Sequence, residues 1–113
     1  MDKRSLKRNL LLRPVKIFSQ ISHKHIGNIV DIHTEGMKIV TKYHFNPDEI
    51  MHLLINIPDL NEPIHEIELK AKNVWTKDFI LNRYQCGLKF HDISPETKID
   101  LVNNLIQKYG FTA

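Results

Sequence analysis

The feature that most constrains this chain is an alternation of apolar and polar residues with a period of two. The alternation is clearest over residues 66–72 and returns over Tyr84–Phe90. Because successive side chains of a strand point to opposite faces, this pattern indicates strands with one buried face. Less regular stretches of the same kind are Val15–Ile21, Ile26–His33, Met37–Tyr43 and Ile50–Ile57.

Turn-forming residues separate these stretches, at Thr34-Glu35-Gly36, Asn46-Pro47-Asp48 and residues 58–63. Short strands joined in this way favour a closed or nearly closed barrel, because closure removes exposed edges. With 113 residues the chain is long enough for one domain, and no repeat or linker divides it.

The end of the chain changes to a helical period. Ser94 suits the N-cap position and Pro95 the first turn, where its missing N–H costs nothing. Gly110 is placed to end the helix. The apolar stripe needs a partner, which is the barrel itself, a second copy of the chain or another protein. Its members are Ile99, Val102, Leu105, Ile106 and Tyr109.

Composition is that of a folded soluble domain, with 42% hydrophobic and 26% charged residues. No apolar run is long enough to cross a bilayer, and the basic start lacks the features of a secretory signal. We therefore expect a cytoplasmic protein. The net charge is +3, and six of the 16 lysine and arginine residues lie in the first 16 positions. An anionic partner is expected at this basic segment.

No catalytic constellation stands out, since the sequence has no phosphate-binding glycine loop, serine elbow or helical zinc motif. We therefore expect a protein that is not an enzyme. His23 and His25 form a lone His-x-His without a matched third ligand, so surface histidines are the better interpretation and no metal is expected. The single cysteine, Cys86, lies in an alternating stretch and is predicted to be a buried, inert thiol.

Two short motifs carry ligand chemistry. Arg4 and Arg8 are four positions apart just before the first strand, and arginine offers a donor fork that fits phosphate or a guanine edge. In the second motif, alternation predicts that Val30 and Ile32 face the core and that Asp31 and His33 project from the outer face. A carboxylate there can accept hydrogen bonds from guanine, and Gly36 is expected to supply a positive-φ turn. Each motif alone is also compatible with an ordinary basic tail or hairpin.

Together the motifs resemble the binding signature of the PilZ family, Arg-x-x-x-Arg followed by Asp-x-Ser-x-x-Gly. The resemblance extends along most of the chain, through residues 27–40, Leu53–Pro58, Lys70–Trp75 and Tyr84–Phe90. It implies a mainly β fold, a six-stranded antiparallel split barrel (residues 14–113) with a C-terminal helix and a flexible basic arm (residues 1–13). It also implies a receptor for cyclic di-GMP that relays the level of this messenger to an unidentified downstream protein.

By the same resemblance, Arg4 and Arg8 would grip the phosphates and guanine edges of cyclic di-GMP, Asp31 would bind one guanine and Gly36 would shape the turn. His33 departs from the motif, which has serine there. Imidazole is larger than a hydroxyl, and its hydrogen bonding depends on its tautomer. His33 either contacts the ligand, obstructs it or marks a degenerate site. The retained arginines, aspartate and glycine favour binding.

The alternative is a degenerate PilZ-like module that contacts proteins and binds no nucleotide. A barrel that binds single-stranded nucleic acid ranks lower. Such a barrel stacks bases on exposed aromatic side chains, whereas Trp75, Tyr84 and Phe90 are expected at core-facing positions. No nucleic acid polymer and no membrane span are expected. The pattern leaves open whether the chain is a monomer or a homodimer.

Overall fold

The computed structural model describes residues 9–57, 65–97, 99–100, 103 and 110–112. The described part agrees with the expected strand positions, except that β1 begins earlier and β5 runs further than predicted. A seventh strand was not expected. The strands are β1 Asn9–Ser19, β2 His25–His33, β3 Gly36–Thr41, β4 Ile50–Ile57, β5 His65–Asp78, β6 Tyr84–His91 and β7 Gly110–Thr112.

The first six strands close into an antiparallel barrel, as predicted. Their order is β2-β3-β6-β5-β4-β1, and β1 pairs with β2 again to complete the circle. Strand β7 pairs with the first residues of β1, Asn9 to Leu11. Three residues are too few to show an alternating pattern, which is why sequence periodicity missed β7.

The barrel core is built from the apolar face of each strand. Ile17, Ile29, Ile39, Leu53 and Ile55 are completely buried. Cys86 lies among them, as expected for an inert thiol. The alternation that predicted the strands therefore also predicted most of the core, because each strand buries one face.

A β-bulge in β5 changes the direction of its side chains. The register of β5 against β6 shifts between Asn73 and Trp75, so that Trp75 lies opposite Gly87 and Thr76 opposite Cys86. Trp75 is 38% exposed, and the predicted core-facing position of Trp75 is wrong. The extra residue of a bulge moves the following side chains to the other face of the strand. The position of Trp75 therefore does not count against a nucleic-acid surface.

Strand β1 is irregular around Pro14. Its pairing with β2 passes from Leu10↔Asp31 directly to Val15↔Ile29. Proline has no N–H for a ladder hydrogen bond, and it is tolerated where pairing is interrupted. The strand thus includes residues 9–13, which the sequence assigned to the arm, whereas Arg4 and Arg8 lie outside the described residues.

The C-terminal helix begins as predicted. The backbone N–H of Thr97 donates to Oγ of Ser94 at 3.2 Å, the geometry of an N-cap, and described residues 95–97, 99–100 and 103 are helical. Ile99 is half exposed. Gly110 is the first residue of β7. The other members of the predicted stripe, Val102, Leu105, Ile106 and Tyr109, lie outside the described residues.

The strand directions divide the connections between two ends of the barrel. One end carries the β2–β3 turn at Thr34 and Glu35 and the end of β6, and we call it the motif end. The other carries the β1–β2 turn (20–24), the β3–β4 loop (42–49) and the β5–β6 turn (79–83), and we call it the hairpin end. Strand β6 runs from the hairpin end to the motif end, and its length as an extended chain is about 20 Å. The two ends are therefore separated by about this distance along β6.

Candidate functional site

Asp31 lies near the end of β2, on the outer face of the sheet. The register of β2 against β3 shifts between Ile29 and Asp31, and Asp31 pairs with Lys38. Lys38 faces outward because its neighbours Met37 and Ile39 are in the core, and cross-strand partners share a face. Asp31 is nevertheless only 2% exposed. The outer-face prediction for Asp31 is therefore confirmed, although its deep burial was not expected.

The same register shift corrects one detail of the predicted alternation. Ile29 and Ile32 are both completely buried although they are three positions apart, while Val30 between them is only partly buried. Val30 was expected in the core, and this prediction is wrong. Because of this irregularity, the next core-facing residue after Ile29 is Ile32 rather than Asp31. Asp31 therefore lies beside Lys38 on the outer face.

His33 closes the β2–β3 hairpin. It pairs with Gly36, and the backbone N–H of Glu35 donates to Nδ1 of His33 at 3.1 Å. A serine hydroxyl in this position can accept the same kind of bond from the residue two further along the chain. The carbonyl of Glu35 in turn accepts from the N–H of Phe90, which fixes the turn to β6. The imidazole thus supports the hairpin that carries the motif.

Gly36 is required for a different reason from the one that the sequence suggested. None of the described glycines has a positive φ, so the expected positive-φ turn at Gly36 is wrong. Gly36 is in extended backbone at the start of β3, and a Cβ there would collide with the backbone carbonyl of Leu88. The glycine allows β3 and β6 to approach closely at the motif end.

A row of outer-face positions continues from Asp31 across the sheet. Lys38 pairs with Gly87, and Gly87 pairs with Trp75. The indole ring of Trp75 lies over Gly87, where a Cβ would overlap it. Lys38 and Trp75 were not predicted as site residues. Alternation could have found Lys38, whereas the placement of Trp75 depends on the bulge.

Two further lysines, Lys89 and Lys77, add positive charge to this face. Lys89, opposite Gly36, is exposed and points outward because Leu88 and Phe90 are buried. The ammonium of Lys77 lies 5.3 Å from the centre of the Trp75 ring. The outer face of β2, β3, β6 and β5 therefore combines a buried carboxylate, several ammonium groups and an indole. Such a set can bind an anion through its lysines and stack a planar ring on its tryptophan.

The basic arm joins this face through the chain. Asn9, the residue after Arg8, pairs with Ile32, and Leu10 pairs with Asp31. Strand β1 therefore enters the barrel alongside the motif. The predicted roles of Arg4 and Arg8 concern residues outside the described part of the chain, and they remain predictions.

A comparison with protein-family models decides the family. The model described as PilZ domain matches residues 2–107, which is most of the chain. The chain belongs to the PilZ family. PilZ domains are receptor or adaptor domains and not enzymes, and this family includes proteins that bind cyclic di-GMP. A sequence comparison with curated proteins gives no significant match.

Solved PilZ structures have the same fold. The PilZ domain of YcgR from Escherichia coli, solved with cyclic di-GMP, superposes with a TM-score of 0.71 at 10% identity, covering 94% of this chain and 91% of that one. A second structure, of YcgR from Escherichia coli in complex with cyclic di-GMP, gives a TM-score of 0.70 at 12% identity, covering 95% of this chain and 46% of that one. The Bacillus subtilis inhibitor of motility, MotI/DgrA, gives 0.70 at 17% identity, covering 96% and 52%. This chain spans about half the length of the MotI/DgrA chain and of the YcgR chain in the second structure.

The described part of this PilZ domain holds no group of three or more histidine, cysteine, aspartate or glutamate residues that could bind a metal ion. His23, His25, His44, His52 and His91 are exposed. No helix within the same residues has the length and apolar character needed to span a bilayer. Burial raises the pKa of the Cys86 thiol, against smaller opposing effects of hydrogen bonds with Thr76 and the Phe45 backbone.

Proposed function

We propose that this PilZ domain is a receptor for cyclic di-GMP that binds the nucleotide on the outer face beside the β2–β3 hairpin. The observation that carries the proposal is the position of Asp31, a buried carboxylate at the end of β2, beside Lys38 and next to the strand that follows Arg8. The family membership supports the ligand class.

Each site residue has a role in this proposal. The carboxylate of Asp31 accepts hydrogen bonds from the N–H groups of one guanine, and burial strengthens them because water competes less. Gly36 keeps β3 against β6, so that the hairpin presents Asp31 and His33 from a fixed backbone. Lys38 and Lys89 add positive charge that favours a dianionic ligand.

Arg4 and Arg8 are proposed to complete the site from the arm. Arg8 is one peptide unit from Asn9, and consecutive Cα atoms are about 3.8 Å apart. Since Asn9 pairs with Ile32, a guanidinium at position 8 is tethered within reach of a ligand on Asp31. Binding would then order the arm over the nucleotide. The contacts with the ligand would compensate for the conformational entropy that the arm loses on ordering.

Imidazole at position 33 is compatible with this function. Nδ1 of His33 accepts from Glu35, so the side chain has a defined place in the hairpin. The competing function is a PilZ module that binds only proteins, and the replacement of the motif serine is the feature that favours it. In both cases we propose that the domain acts by binding rather than by catalysis, and that it reports to a downstream protein.

The test is the thermal stabilisation of the protein by cyclic di-GMP. The wild type should melt at a higher temperature with the ligand, because a ligand that binds only the folded state stabilises it. Asp31→Asn should reduce the shift, whereas the matched change Asp78→Asn, at the hairpin end, should leave it intact. A folded wild type without any shift would favour the protein-binding module.

A further inference from the structure

The β5–β6 turn presents apolar side chains to solvent. Phe79, Ile80 and Leu81 follow one another at the tip and are 48%, 63% and 88% exposed. Three consecutive exposed apolar residues are unusual in a turn unless they serve a function. They lie at the hairpin end, away from Asp31 and His33.

The tip has a defined backbone. The N–H of Phe79 donates to the carbonyl of Arg83 at 3.1 Å, and the N–H of Arg83 donates to the carbonyl of Ile80 at 2.8 Å. Asn82 adopts a φ of 59°, which asparagine tolerates better than most residues. The apolar side chains therefore project from a preformed turn, and little conformational entropy would be lost on docking.

Cations flank this tip in the chain, and an aromatic ring follows the strand beside it. Lys77 and Arg83 flank it and are exposed, and one exposed acid, Asp78, lies between them in the chain. At the neighbouring end of β3, Tyr43 is 38% exposed and the ammonium of Lys42 lies 5.6 Å from its ring centre. The β1–β2 turn, at the same end of the barrel but not adjacent to the tip in the strand order, carries Ile21, which is 82% exposed, with His23 and Lys24 close by in the chain.

The acidic groups at this end are partly engaged within the protein. Asp48 lies 3.9 Å from the ammonium of Lys72, and a carboxylate oxygen of Glu49 accepts from the N–H of Asn46 at 3.2 Å. The exposed cations at this end are Lys24, Lys42, Lys77 and Arg83. With Lys72 included, five described cations at this end stand against three acids, Asp48, Glu49 and Asp78. The surface therefore combines protruding apolar side chains with a small surplus of positive charge.

We propose that the hairpin end docks on an anionic lipid surface, with Phe79, Ile80 and Leu81 inserted between the headgroups. A convex tip suits a deformable lipid interface, where apolar side chains enter the acyl boundary and Lys77 and Arg83 remain at the headgroups. Tyr43 suits the same boundary, because its ring is apolar and its hydroxyl is polar. This inference does not depend on the proposed nucleotide site.

The experiment is co-sedimentation of the protein with sucrose-loaded vesicles in the absence of cyclic di-GMP. One set of vesicles is phosphatidylcholine alone, and the other is an equal mixture of phosphatidylcholine and phosphatidylglycerol. The wild type should pellet with the anionic vesicles, less so at high salt, and weakly with phosphatidylcholine alone.

Two variants separate the apolar and charged contributions. The double variant Ile80→Ser/Leu81→Ser should lower the partition coefficient by at least roughly tenfold. Lys77→Gln/Arg83→Gln should lower it by roughly 25-fold, which is about fivefold for each of the two charges. Ile99→Ser is the matched control, since Ile99 is half exposed in the helix that follows the opposite end of β6, and it should pellet like the wild type.

Because the altered side chains are exposed, the thermal transitions of all variants should match that of the wild type. Failure of the folded wild type to pellet with anionic vesicles would overturn the proposal and point to a protein partner for the tip. Undiminished pelleting of the Ile80→Ser/Leu81→Ser variant would also overturn it.

Discussion

The indole ring of Trp75 lies directly over the backbone of Gly87, in the space that a Cβ at position 87 would fill. Gly87→Ala should therefore displace the ring and lower the free energy of unfolding by about 1–3 kcal/mol. Urea unfolding measures the loss, and the fluorescence of Trp75, the single tryptophan, reports the displacement. In a Trp75→Ala background the same change should cost much less. Equal costs in both backgrounds would contradict the packing described.

His33 is expected to act through the hairpin. His33→Ala removes the acceptor for the N–H of Glu35 and should lower stability by about 1 kcal/mol, whereas His33→Ser should retain most of it. Because a serine hydroxyl can accept the same bond, His33→Ser should bind cyclic di-GMP as the wild type does, whereas His33→Ala should bind it less tightly. Calorimetric titration of the three proteins measures the difference. Equal affinity of the wild type and His33→Ala would exclude a role for the imidazole in positioning the ligand.

Asn73 ties the β3–β4 loop to β5. Its side chain is completely buried, and Nδ2 donates to the carbonyls of Phe45 and Asn46 at 3.1 and 3.0 Å. Asn73→Ala should lower the free energy of unfolding by about 3 kcal/mol. Asn73→Asp should cost more at neutral pH, because a carboxylate would face two carbonyl oxygens. Chemical denaturation checks both, with the exposed Asn103→Ala as control, expected within about 0.5 kcal/mol of the wild type.

Cys86 should be protected from thiol reagents. Burial raises the pKa of its thiol, so the folded protein holds the neutral, less nucleophilic form at neutral pH. A disulfide reagent should react slowly with the native protein and rapidly in denaturant. The stability that comes from burying the neutral thiol is present below the unfolded-state pKa and is lost as the pH rises above it. Fast modification of the native protein would contradict the buried position.

The strands and the core could be predicted from the sequence because each strand buries one face. The N-cap at Ser94 was equally local and was also correct. Trp75 was misplaced because a bulge shifts the alternation, and the bulge follows a residue, Asn73, whose partners come from a distant loop. Local sequence carries little information about such tertiary contacts.

The candidate site was predicted only in part for a related reason. The outer-face position of Asp31 followed from local alternation, but its burial did not. The reason predicted for glycine at position 36, a positive-φ turn, was wrong, because the space for a Cβ there is taken by the carbonyl of Leu88 on another strand. The approach of Gly36 to Leu88 joins β3 to β6, two strands that are far apart in the chain, and local alternation carries no information about such a contact.

The central claim is that this PilZ domain binds cyclic di-GMP at the face that carries Asp31. Isothermal titration calorimetry with cyclic di-GMP tests it most directly, with GTP as the ligand control. We predict saturable heat with cyclic di-GMP and none with GTP. Arg8→Ala should abolish the heat, and Arg83→Ala, an arginine change at the hairpin end, should leave it unchanged. No heat from a wild-type sample shown to be folded, or full binding by Arg8→Ala, would contradict the claim.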